Sequence, residues 1–119
     1  MRKTLVIGAN PNPERYAFKA VEKLIKHDFE IIAFGQKKGK INEVEIENEW
    51  NPSWEVDTVT LYLNPTNQIQ YYQPIIDLKP RRVIFNPGTE NAEFSELLAK
   101  NGIESEIACT LVLLSLGEY

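Results

Sequence analysis

Apolar residues along this chain fall into two alternating patterns. Thr4 to Ile7 is a short β-branched run stopped by Gly8, as expected of a strand buried on both faces. Beyond Ala9-Asn10-Pro11-Asn12-Pro13, the residues Phe18, Val21, Leu24 and Ile25 recur at helical spacing, with Lys19, Glu22, Lys23 and Lys26 between them. Asn12 is placed to cap this amphipathic helix and Pro13 to occupy its first position, where a missing N–H costs nothing. The same alternation continues. Glu30 to Phe34 predicts a second strand ending at Gly35, Thr58 to Leu63 a third, Arg82 to Phe85 a fourth and Glu104 to Ile107 a fifth. Asn64-Pro65-Thr66 opens a helical segment with Ile69, Tyr72 and Ile76 on one face. Pro74, inside it, should bend or break the helix by crowding the carbonyl of Gln70. A further helix is predicted from about Ala92 to Lys100, capped by Asn91 and stopped at Gly102, with a short apolar segment from Thr110 to Leu116 after the fifth strand. The polar stretch from Gln36 to Asn51 is expected to be a surface excursion with a short edge strand at Glu43 to Ile46.

Strands alternating with helices at this spacing predict βαβ units and a mostly parallel, doubly wound sheet, a three-layer α/β architecture. The 119 residues suffice for one domain, residues 1–119, with no repeat or low-complexity linker. Apolar runs are too short to cross a bilayer, and Met1-Arg2-Lys3 leads into a strand with no signal-peptide core, so a cytoplasmic location is expected. Cys109, the single cysteine, fits a reducing compartment and rules out an internal disulfide and a cysteine-based zinc site. Thirteen basic against seventeen acidic residues give a net charge of −4, which argues against broad attraction to nucleic acid or anionic membrane. An anion has to be held by local geometry.

In open α/β sheets ligands sit beyond the carboxyl ends of the strands. Three turns therefore carry the interest: Gly8 to Arg15, Gly35 to Lys38, and Asn86 to Glu90. The first joins a buried strand to a helix whose free N–H groups and dipole favour an anion, although a strand-ending glycine and a capped helix also occur without ligands. It lacks the second and third glycines of the G-x-G-x-x-G dinucleotide fingerprint, which argues against NAD. After the second strand, Gln36-Lys37-Lys38 replaces the acidic residue that holds a ribose in NAD enzymes; the cations suit a phosphorylated ribose or form a solvated basic turn.

Gly8-Ala9-Asn10-Pro11-Asn12-Pro13-Glu14-Arg15, the strand Thr58 to Leu63 with Asn64-Pro65, Asn86-Pro87-Gly88-Thr89-Glu90-Asn91 and Ala108-Cys109-Thr110 together resemble the small stand-alone coenzyme A-binding proteins. Their Rossmann-like fold also forms the CoA-binding domain of succinyl-CoA synthetase α subunits. The resemblance covers essentially the whole chain. It implies about five parallel strands in the order 3-2-1-4-5, with a ligand cleft between the carboxyl ends of the first and fourth. It also implies CoA or an acyl-CoA as ligand: Gly8, Ala9 and Asn10 would approach the phosphates, Arg15 and Lys19 would supply positive charge, and Gly35 and Lys37 would lie near the adenosine end. Tyr62, Asn64, Pro65, Asn86, Pro87 and Gly88 would wall the cleft. The chain departs from many such relatives where they carry serine at the position of Asn10 and a serine-tyrosine pair at Ala17-Phe18, so two hydroxyls able to reach phosphate are absent.

Catalytic groups are not expected. Cys109 needs a base to act as a nucleophile, and the sole histidine, His27, ends the first helix on the side away from the cleft. Glu90 and Glu93 sit where the helix dipole prefers acids in any case. Trp50 and Trp54 are expected to cover a sheet edge or a partner surface. The resemblance implies a sensor, carrier or accessory protein. The alternatives are an NADP-dependent oxidoreductase using Lys37 and Lys38, and an interaction module with an empty cleft whose partner is a protein or a second copy.

Overall fold

The computed structural model describes residues 3–119; Met1 and Arg2, expected to lead into the first strand, lie outside the described residues. Seven strands form one sheet: β1 (Lys3–Ile7), β2 (Glu30–Phe34), β3 (Gly39–Ile41), β4 (Val44–Glu47), β5 (Thr58–Leu61), β6 (Arg82–Phe85) and β7 (Glu104–Ile107). Their order is β3-β4-β2-β1-β5-β6-β7, with every neighbouring pair parallel except β3 and β4. The helices are α1 (Tyr16–Lys26), α2 (Pro65–Gln68), α3 (Tyr72–Leu78), α4 (Ala92–Lys100) and α5 (Thr110–Leu116).

The period-2 alternation of the strands divides the core in two. Leu5 and Ile7 of β1, Val59 and Leu61 of β5, and Val83 and Phe85 of β6 pack with Ile75 and Ile76 of α3 and Phe94 and Leu98 of α4. On the other face Val6 and Ala33 pack with Ala17, Val21 and Leu24 of α1 and Leu114 of α5. This second face carries a buried polar layer. Arg82, 5% exposed, donates to the Thr58 hydroxyl at 3.1 Å and to Glu106 at 3.0 Å, and its guanidinium lies 4.6 Å from the centre of the Tyr119 ring. It thereby ties β6 to β5, to β7 and to the end of the chain after α5.

The expected strand order is corrected by this topology. The third predicted strand, Thr58 to Leu63, ends at Leu61 and lies beside β1, not beyond β2. Counted over the five predicted strands the order is 2-1-3-4-5. Two physical facts account for it. The predicted surface excursion folds back as the β3–β4 hairpin, and β4 takes the open flank of β2, shifted by one residue from the predicted edge strand. All four residues of β5 are buried, which demands a neighbour on each side, and β1 and β6 supply them. The segment between β4 and β5 carries Trp50 and Trp54 across to the α3 face, where Trp50 stacks on Tyr71 and both indoles meet the Phe34 ring edge-on. The switch point between oppositely directed crossovers is therefore β1/β5, so the expected cleft between the first and fourth strands moves one strand inward.

The helix after Asn64 breaks, as Pro74 predicts. Asn64 caps α2 by accepting from the Asn67 N–H at 2.9 Å, a 3-10 turn spans Ile69–Tyr71, and α3 restarts at Tyr72, so Pro74 sits in its first turn where no N–H is missed. Among the described residues no helix is long and apolar enough to cross a membrane.

Asp57, just before β5, accepts two hydrogen bonds from Arg81 at 3.1 and 3.2 Å and one from the Thr58 hydroxyl at 2.8 Å. The Arg81 guanidinium in the first place holds its carboxyl below the ordinary value of 3.8, against the opposing effect of burial. A lowered folded-state value stabilises the fold above the ordinary carboxylate range, and that contribution disappears as the pH falls through the lowered value. Asp57→Asn should therefore cost about 0.5–1 kcal/mol at neutral pH, as for a solvent-screened pair. Urea unfolding followed at decreasing pH should show wild type and variant converging in acid.

Candidate functional site

The site begins where β1 and β2 end. Gly8 takes φ +95°, and a side chain there would press on the Tyr62 backbone at 3.0 Å. Its N–H and that of Ala9 both donate to the Phe34 carbonyl at 2.9 Å, which draws the first turn against the end of β2. Gly35 makes the approach possible, because a Cβ there would lie 2.0 Å from the Ala9 carbonyl oxygen. Two of the three amides expected to meet phosphate thus hold the turn together. Ala9 is buried, while Gly8 and Asn10 line a groove.

The start of α1 is corrected from Pro13 to Tyr16. The Asn10 side chain accepts from the Asn12 N–H, the Asn12 side chain accepts from the Glu14 N–H, and the Asn12 carbonyl accepts from the Arg15 N–H. These local bonds hold the backbone in turns and delay the helix. Arg15 is the N-cap, extended at φ −78° and ψ 142°, with no side-chain cap. The first N–H groups of α1, which have no intrahelical partner, are left without a side-chain acceptor at the groove.

The groove has a volume of about 440 Å³ and is lined by Gly8, Asn10, Glu14, Arg15, Tyr16, Ala17, Tyr62, Asn64, Pro87, Gly88 and Thr89. The turns after β1, β5 and β6 meet there. Seven of the expected residues are brought together: Gly8, Asn10, Arg15, Tyr62, Asn64, Pro87 and Gly88. The others lie elsewhere. Lys19 is exposed one turn along α1, its ammonium 5.4 Å from the centre of the Tyr16 ring at the groove margin. Pro65 is exposed as the first residue of α2. Gly35 borders a crevice of about 30 Å³ on the α2–α3 side of Gly8, and Lys37 is exposed on the turn between β2 and β3, outside the groove lining.

Asn86 is a strut. Its amide donates to the Thr60 hydroxyl at 2.6 Å and the Leu61 carbonyl at 2.9 Å, and its carbonyl oxygen accepts from the Thr110 N–H at 2.8 Å. The Thr60 and Thr110 hydroxyls share a further bond of 2.8 Å. Gln68, fully buried on the other face, donates to the carbonyls of Leu63 and Thr89 and accepts from Asn91. The turns after β5 and β6 are therefore locked to each other. Next to the groove, Tyr16, Tyr62, Asn86, Pro87, Cys109 and Leu111 line a second, partly open cavity of about 250 Å³. The Tyr62 hydroxyl is buried beside the Thr60 and Thr110 hydroxyls, and burial in the first place raises its pKa well above the ordinary range, so it stays protonated.

Sequence reasoning did not name Glu14, Tyr16, Thr89, Cys109 and Leu111 as lining residues, and it marks Ala17 only as a position where relatives carry a hydroxyl. A signal existed for Tyr16 and Ala17, which follow Arg15 at the start of the helix; Leu111 looked like one more apolar residue of a short segment. His27 borders a separate cavity with Phe29, Leu114, Gly117 and Tyr119, at the end of α1 remote from the groove. Among the described residues no cluster of His, Cys, Asp and Glu could hold a metal ion.

This arrangement of turns has relatives. The family model described as the CoA binding domain matches residues 2–115. The chain belongs to the CoA-binding domain family. Its fold is shared by a crystal structure of an uncharacterised protein, 54% identical, with a TM-score of 0.96, covering 100% of this chain and 98% of that one. More distant members of the same fold include cell-free ID.343 from Thermus thermophilus, 18% identical with a TM-score of 0.86, covering 99% of this chain and 90% of that one. A hypothetical protein from Pyrococcus horikoshii is 22% identical with a TM-score of 0.84, covering 93% and 80% respectively. No curated protein matches the chain. In this CoA-binding domain, asparagine side chains close the first turn.

Two substitutions probe this construction by urea unfolding. Gly35→Ala sets a methyl group against backbone, which cannot rotate away, and should cost about 3 kcal/mol or more. Asn86→Ala strands the buried Thr110 N–H and removes two donors, and should cost about 2–4 kcal/mol.

Proposed function

We propose that this protein binds coenzyme A or an acyl-CoA in the groove at the carboxyl ends of β1, β5 and β6, and works as a sensor, carrier or accessory protein without catalysis of its own. The observation that carries the reading is the meeting, in one groove of about 440 Å³, of the uncapped start of α1 with Arg15 and the turns of a CoA-binding domain. In this reading the N–H groups at the start of α1 and the Arg15 guanidinium hold the coenzyme's diphosphate. Asn10 and Asn64 border it with amides, and Glu14 on the same rim sets an electrostatic limit on how much negative charge the groove accepts. Lys37, on the neighbouring turn, serves the 3′-phosphate from solvent.

Absence of catalysis is supported by the separation of titratable groups. His27 lies at the far end of α1 and cannot serve Cys109 as a base in this fold. The NADP alternative draws no support from the first turn, where the amides of Gly8 and Ala9 are engaged by Phe34. The ligand and any protein partner are expected to be met in the cytoplasm.

Calorimetric titration tests the reading. Arg15→Ala should weaken CoA binding by about 1.5–3 kcal/mol, the scale of a charge-assisted hydrogen bond, with little change in fold stability. Lys37→Ala should cost about 0.5–1 kcal/mol, because solvent and salt screen an exposed turn. Its effect should be smaller for dephospho-CoA, which lacks the 3′-phosphate. Undiminished binding in Arg15→Ala would remove the first turn as the charged clamp, and wild-type protein with no saturable heat from CoA would favour an interaction module.

A further inference from the structure

The groove accounts for an anionic ligand but leaves the second cavity unused. The two adjoin, with Tyr16, Tyr62 and Pro87 lining both. Their walls differ in kind. The groove presents Asn10, Glu14, Arg15 and Asn64, whereas the chamber presents tyrosine rings, the Pro87 ring, Leu111 and the sulfur of Cys109. Its one carboxamide, Asn86, is committed to Thr60, Leu61 and Thr110. Such walls repay carbon and sulfur and penalise an anion or a sugar. Tyr62 belongs to the wall shared by both cavities.

We infer that the chamber formed by Tyr16, Tyr62, Pro87, Cys109 and Leu111 is an acyl site, which admits the thioester end of a short-chain acyl-CoA while the phosphates remain in the groove. This rests on the CoA reading given above and adds a substrate class to it: the protein distinguishes acylated from free coenzyme. Size sets the chain length. With about 250 Å³ available and roughly 30 Å³ for each methylene-sized group, the chamber holds about eight non-hydrogen atoms. The thioester sulfur and its two methylenes take about three of these, which leaves about five for the acyl group, its carbonyl oxygen and about two to four carbons. A longer chain has to turn back through the mouth into water, where its added methylenes gain nothing.

Calorimetric titration of the wild-type protein with CoA, acetyl-CoA, butyryl-CoA and octanoyl-CoA tests the inference. Butyryl-CoA should bind at least about tenfold more tightly than CoA, the scale on which a few buried methylenes act, and octanoyl-CoA no more tightly than butyryl-CoA. Leu111→Trp fills the chamber and should bring the butyryl-CoA to CoA affinity ratio to within about twofold of unity. Val112→Trp, at an exposed position on the same helix outside the lining, should keep the wild-type ratio. Each ratio is taken on one variant, so a partial loss of fold cancels. Equal affinities for CoA and butyryl-CoA in the wild type, a gain that continues to octanoyl-CoA, or a full ratio in Leu111→Trp would overturn the acyl site while leaving CoA binding in place. No heat with any of the four ligands would overturn the CoA reading itself, and the acyl site with it.

Discussion

A single carbonyl organises the ligand-facing end of this molecule. The Phe34 oxygen takes the N–H groups of Gly8 and Ala9 together, and Gly35 next to it leaves space for the Ala9 carbonyl that a methyl group would occupy. The ends of β1 and β2 are thus brought closer than side chains normally permit. Everything downstream inherits that position: the asparagine turns that follow, the late start of α1, and the place where Arg15 enters the groove. The donors left free toward the groove are then the helix start and Arg15 rather than the glycine turn, whose amides serve the fold.

The opposite wall depends on buried polar bonds instead of close backbone approach. Thr60, Asn86 and Thr110 knit β5, β6 and α5 into one block, and Gln68 joins α2 to the turn before α4. Fully satisfied networks of this kind rigidify because each member, once displaced, strands its partner. The groove thereby lies between two preformed walls, and ligand binding has little ordering to do.

Much of this was legible locally. The helix Ala92–Lys100 with its Asn91 cap, the helical segment opened by Asn64-Pro65-Thr66, the interruption ahead of Pro74 and the turns that converge on the groove all follow from propensity, capping and period. Strand order was not, because neighbours are decided by which flank is already occupied. Three residues, Gly39–Ile41, inside a polar stretch were enough to build a hairpin whose β4 closes the flank of β2 and leaves β5 the other side of β1. The start of α1 was misplaced because Asn12-Pro13 has the chemistry of a cap, while the competing bonds of Asn10 and Asn12 to their own backbone become decisive only in the folded turn. The apolar chamber was invisible for a different reason: Tyr16, Tyr62 and Leu111 belong to three distant stretches, and no local window holds them together.

The sheet's two margins are unlike each other. At one, β3 is joined to β4 by a tight hairpin; at the other, β7 is paired with β6 alone and carries Glu104 and Glu106 within four residues. Two copies approaching margin to margin along β7 would set these carboxylates against one another, with Arg81 beside Glu104 and Arg82 beside Glu106 offsetting part of the charge. Charged side chains along β7 disfavour sheet extension between molecules at that margin without a proline or a bulge.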